Sequence, residues 1–128
     1  MGEIRFLNVD LEIESAENLQ PVIDDLGENV SVLHHGDNGS GFNFVSFEVK
    51  PSGERDVDGI ILSFCLFIEN FSNETKAIWD KCHSKRFDAG FQSGEFPRSY
   101  KTEIRADTVE RVAKIGASIA ITVYPDRE

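Results

Sequence analysis

Leu7, Val9, Leu11 and Ile13 alternate with Asn8, Asp10 and Glu12, and a period of two marks a strand with one buried face. Ser15, with Asn18 as the alternative, stands where an N-cap belongs. Leu19, Val22, Ile23 and Leu26 then recur at helical spacing up to Gly27, which suits the residue after a helix end. Val30, Val32 and His34 alternate with Ser31, Leu33 and His35 as a second strand. The turn cluster Gly36-Asp37-Asn38-Gly39-Ser40-Gly41 joins it to a third over residues 42–49, so these two form a hairpin. Pro51, Ser52 and Gly53 break the chain.

From Asp56 onward Val57, Ile61, Phe64, Ile68 and Phe71 make a helical stripe that Ile60 and Phe67 widen, predicting a helix covered on more than one side. Ser72 or Asn73 caps a shorter helix through Trp79, packed by Ala77, Ile78 and Cys82. Phe87, Ala89 and Phe91 alternate with Arg86, Asp88 and Gln92 in a fourth strand, Gly94 and Pro97 mark a turn, and Tyr100, Thr102 and Ile104 predict a fifth. Asp107 or Thr108 caps a helix carrying Val109, Val112 and Ile115. Gly116 ends it, and Ile119, Ile121 and Val123 form the last strand.

The order is therefore β-α-β-β-α-(α)-β-β-α-β. Helices with one apolar side and half-buried strands pack as an α+β two-layer sandwich. Its expected form is a mostly antiparallel sheet of about six strands with ferredoxin-like elements and helices on one face. Residues 1–128 are read as a single domain.

Helices on one face leave the other open. If Leu7, Val9, Leu11 and Ile13 point to the helices, the open face carries Asn8, Asp10 and Glu12. Ser31, Leu33 and His35 follow on the second strand, Arg86, Asp88 and Gln92 on the fourth, and Lys101, Glu103 and Arg105 on the fifth. The third strand is ambiguous, because Phe42 and Phe44 alternate with Val45, Phe47 and Val49. If the longer run faces the core, Phe42 and Phe44 are exposed, and Tyr124 joins them from the last strand. Aromatics beside paired charges suggest a contact surface, expected at His35, Phe42, Phe44, Arg86, Asp88, Glu103 and Tyr124. The alternative is that a partner chain, a loop or the extra helix covers this face, and a homodimer satisfies both readings.

Composition narrows the chemistry. The chain has 128 residues, with 23 Asp plus Glu against 13 Lys plus Arg, a formal charge of −10. That balance argues against a broad phosphate-binding footprint, so neither nucleic acid nor an anionic membrane is the expected partner. The longest apolar stretch, residues 59–68, is far short of the ~20 residues that a bilayer span needs. The start of the chain carries acids where a secretory leader would be basic and then apolar. Cys65 and Cys82 do not make a disulfide framework, and thiols in a reducing cytoplasm are the simplest reading.

Three groups of residues carry candidate chemistry. Residues 40–47 resemble the third-strand signature of RNA-recognition motifs, G-F/Y-x-F-V-x-F/Y, with Phe6 on the first strand as a second stacking residue. The leading basic residue is Ser40 here and the small residue is Asn43, in an acidic chain, so RNA binding stands behind the other readings. His34, His35, Asp37, Asp80, Cys82 and His83 lack the spaced pairs of a zinc site, and neighbours on a strand point to opposite faces; no metal and no cofactor are expected. Residues 79–88 are the densest group of reactive side chains. They offer Cys82 and His83 as a nucleophile pair, or Asp80, His83, Arg86 and Asp88 as an acid–base site. There is no G-x-S-x-G elbow, no phosphate-cradling loop and no H-E-x-x-H.

Trp79, Asp80, Ser84, Phe87, Asp88 and Gly90, in the pattern W-D-x3-S-x2-F-D-x-G, and the run Ile115-Gly-Ala-Ser-Ile-Ala-Ile-Thr-Val-Tyr124 resemble uncharacterised bacterial α+β domain families. That resemblance implies a bacterial origin and an α+β fold, with no established activity. Small acidic bacterial α+β proteins also resemble immunity proteins that block a basic partner by charge complementarity. The expected function is a cytoplasmic protein-binding module working through its open sheet face, self-associating, with an enzyme as the alternative.

Overall fold

The computed structural model describes residues 2–50 and 55–126, and the break expected at Pro51, Ser52 and Gly53 lies outside them. Its elements follow in the order β1 (Arg5–Ser15), α1 (Gln20–Leu26), β2 (Val30–Asp37), β3 (Asn43–Val49), α2 (Val57–Glu69), α3 (Asn73–Lys81), β4 (Ser84–Gln92), α4 (Ala106–Lys114) and β5 (Ser118–Tyr124). The strands form one sheet in the order β2-β3-β1-β4-β5. All neighbours are antiparallel except β4 and β5, which run parallel across the α4 connection. The result is an α+β sandwich on five strands.

One parity of the sheet supplies its share of the core. Val9, Leu11 and Ile13 on β1, Val45 and Phe47 on β3, and Phe87, Ala89 and Phe91 on β4 are buried in a single cluster with Val22, Leu26, Ile61, Phe64 and Trp79 from the helices. Phe64 of α2 meets Phe87 at 5.5 Å between ring centroids, and Trp79 of α3 donates from Nε1 to the Ile115 carbonyl at 2.8 Å. The third strand's ambiguity is thereby resolved: Val45 and Phe47 face the helices, and Phe44 lies half-buried on the other side.

Helix ends follow local chemistry. The Asp56 carboxylate accepts from Gly59 N–H and starts α2, and the Ser72 hydroxyl accepts from Thr75 N–H and starts α3. Gly116 closes α4 with φ of 75°, a conformation that a Cβ disfavours. At α1, Leu19 is the N-cap and lends no side chain, while the Asn18 carboxamide accepts from Gln20 N–H just ahead of it. α4 begins two to three residues earlier than its sequence suggests, with Arg105 at the N-cap and the buried Asp58 carboxylate accepting Arg105 N–H at 2.8 Å. Thr108 is then a buried helical residue whose hydroxyl has no hydrogen-bond partner among the described residues. Thr108→Val keeps the shape and removes the stranded hydroxyl, so it should raise stability by about 1 kcal/mol, read as a higher urea midpoint at unchanged slope.

Five expectations are corrected. Tyr100, Thr102 and Ile104 form no strand: β5 takes the place beside β4, and the Tyr100 ring packs on Phe91 at 5.9 Å instead. Glu103 therefore lies in an irregular segment, off the sheet face. A bulge between Phe6 and Asn8 turns Phe6 inward against Phe91 at 5.6 Å and leaves Leu7 exposed, so Phe6 is not a stacking residue and Leu7 is not core. A second bulge between Val32 and His34 pairs His35 with Val45, on the parity of the helices, and gives the open-face register to His34.

Candidate binding face

The strand register assembles a charged row that no single segment contains. Asp10 of β1 stands opposite Glu48 of β3 on one side and Asp88 of β4 on the other. Neighbouring strands lie about 4.8 Å apart, so three carboxylates are strung across three strands on the open face. Like charges directly opposite one another destabilise a sheet. Among the described residues no cation forms an ion pair with any of the three. Asn8 donates to Glu48 at 2.7 Å, and the Thr122 hydroxyl donates to Asp88 at 2.8 Å. Partial burial, then the nearby charges of Glu48, Glu12 and Asp88, push the Asp10 carboxyl up from an ordinary 3.8 to about 6.

A shallow depression of about 420 Å³ opens over this row, with Gly90 and Gln92 in its floor. Its apolar rim is Leu7, Leu33 and Tyr124. The bulges described above supply both leucines, since each inserts one residue and leaves a leucine on the exposed side.

One row further along, the charges are paired. Glu12 accepts from Arg86 Nε at 3.0 Å, and Glu14 lies 2.8 Å from His83 Nε2. Hydrogen bonds from the side chains of Asn38 and His83 hold the Glu14 carboxyl below its usual range. The Phe42 ring rests 4.5 Å from His83, and Phe44 lies 5.4 Å from His34. The open face is thus acidic and unpaired at one end, and aromatic with neutralised charges at the other.

Of the expected surface residues, Phe42, Phe44, Arg86, Asp88 and Tyr124 share this face, and His35 and Glu103 do not. The acid–base group is not assembled. Asp80 lines a separate cleft of about 590 Å³ between helices with Lys76 and Trp79, while His83, Arg86 and Asp88 are on the sheet. Cys82 is buried, its thiol raised by that burial and bonded to the Ile78 carbonyl, out of register with the exposed His83. Burial pushes the Cys65 thiol up to about 12, and both cysteines are free. Among the described residues no three His, Cys, Asp or Glu side chains converge to hold a metal ion, and no helix is long and apolar enough to cross a membrane. Sequence reasoning placed Asp10 on the exposed side and missed Glu48, whose role appears only when β3 is set in register with β1.

No protein-family model, curated protein or solved structure matches the chain.

Proposed function

We propose that the protein is a binding module that docks a basic segment of a partner protein on the open face of its sheet. The observation that carries this reading is the row Glu48–Asp10–Asp88, three carboxylates held side by side that, among the described residues, have only neutral partners. An arginine or lysine laid between two of them relieves the repulsion, and a planar guanidinium matches paired carboxylates. Leu7, Leu33 and Tyr124 around the row offer contact to the aliphatic stem or to an apolar neighbour in the partner. The net charge of −10 steers basic partners toward the molecule as a whole. Free, buried thiols suit a reducing compartment, and we place the protein in the cytoplasm.

A displayed library of random decapeptides, selected on the purified protein, tests this. Enrichment of Lys or Arg at strand-like spacing is expected, with binding that falls as salt rises and weakens at least about tenfold in the triple variant D10N/E48Q/D88N. Glu110→Gln, on the exposed side of α4, serves as the control that leaves binding unchanged. Selected sequences without basic enrichment, or indifferent to the triple variant, would overturn the reading.

A further inference from the structure

The two edges of the sheet are built differently. β2 carries a bulge, two histidines and a terminal aspartate, devices that discourage another strand from adding to it. β5 is the opposite edge and reads SIAITVY: seven residues with no charge, no proline and an unbroken register against β4. Among the described residues nothing pairs with its outer side. Ile121 and Val123 point to the helix side of the sheet, in register with Ala89 and Phe91, yet they are 64% and 60% exposed, whereas Ile119 packs against the core. An uncharged, largely apolar edge of this length with an unbroken register invites a further strand.

We infer that the strand added there is β5 of a second copy, antiparallel, joining two sheets into one of ten strands. The segment is self-complementary in that direction. With Ile121 on the twofold axis, Ile119 faces Val123 of the second copy, Ile121 faces its own counterpart, and Tyr124 faces Ser118. All the apolar residues of the helix-side row then meet apolar residues. The flanking charges agree as well. Near the start of β5 the Lys85 ammonium, which donates to the Trp79 carbonyl at 3.3 Å, approaches Gly116, and the far end of the strand runs on to Asp126. The antiparallel arrangement sets the acidic end of each copy against the basic end of the other. The second copy's Ser118 also reaches the rim of the carboxylate depression next to Tyr124, so the two open faces become continuous. This inference stands apart from the basic-partner reading and survives its failure.

A single edge strand is a small contact, which places the dissociation constant on the order of micromolar. Sedimentation equilibrium from about 1 to 300 μM should show a monomer passing into a dimer. Ile121→Lys sets two like charges face to face at the axis and is expected to weaken association more than about a hundredfold, with the circular dichroism spectrum unchanged because the side chain is exposed. Ile121→Cys places two thiols directly opposite and should form an intermolecular disulfide under mild oxidation, while Leu66→Cys, also exposed but on α2, should not. The native thiols, both buried, leave this readout clean. A wild-type chain that stays monomeric to 300 μM, a dimer indifferent to Ile121→Lys, or equal cross-linking at positions 66 and 121 would overturn the inference.

Discussion

Phe47→Ala is expected to destabilise the protein by about 3–5 kcal/mol, and Phe44→Ala by about 1 kcal/mol. The two residues sit three apart on β3 and on opposite faces of it. Phe47 is fully buried, between Leu11 of β1 and Val32 of β2, in the cluster that α2 covers. Removing its ring leaves a cavity that the close-packed surroundings only partly fill, so a packing loss adds to the lost burial. Phe44 lies opposite Glu14 and Gly36 on the open side, half-buried and touching the His34 ring. Its truncation gives up contact area to solvent and leaves no void. Chemical denaturation followed by circular dichroism decides between them. A reversed order, with Phe44→Ala the costlier change, would mean that β3 is shifted by one residue, which would also scatter the carboxylate row.

That contrast marks where sequence reading stops. The helices were legible because their signals are local. The stripe from Val57 to Ile68 and the side-chain caps at Asp56 and Ser72 need no knowledge of distant neighbours. The strand faces were legible wherever one side was polar, as on β4, where Arg86, Asp88 and Gln92 alternate with Phe87, Ala89 and Phe91. On β3 both sides are apolar near its start, so the alternation has no sign. Parity also fails at a bulge, which adds a residue without a local mark: neither Phe6–Leu7–Asn8 nor Val32–Leu33–His34 contains a glycine, and each looked like an unbroken strand.

Tyr100, Thr102 and Ile104 show the reverse error. Their alternation is good, but a strand exists only where a ladder partner is free, and β5 already occupies the edge of β4. The carboxylate row lay beyond sequence reasoning for the same reason. Asp10, Glu48 and Asp88 are far apart along the chain, and only the register of β3, β1 and β4 makes them neighbours. Net charge indicated the sign of the surface and nothing of its placement.

Asp10→Asn is the substitution in which stability and binding should move in opposite directions. The Asp10 carboxyl titrates at about 6 in the folded protein against an ordinary 3.8. Between these values the native state holds a proton that the unfolded chain has released, so stability falls as pH rises through that window, and above it the charged carboxylate is a standing cost. A displacement of that size is worth about 3 kcal/mol for a fully desolvated group, and solvent screening at this partly exposed position reduces it to about 1–2 kcal/mol.

Asp10→Asn should therefore raise stability at pH 7 by about 1–2 kcal/mol, change it little at pH 4, and flatten the profile between. Removing the central charge of the row also removes the site at which a cation meets two carboxylates at once. Affinity for the selected basic peptides should fall about tenfold or more although the protein is more stable. A stabilised variant with weakened binding is the signature of a site kept at the expense of the fold, because a residue that merely supports structure loses both together. Asp80→Asn, on the helix layer, should shift neither quantity. Denaturation midpoints across pH 4–8, set beside peptide titrations of the same variants, separate the two effects. If Asp10→Asn proves less stable than the parent at pH 7, the carboxylate is holding the sheet together, and the row is part of the scaffold.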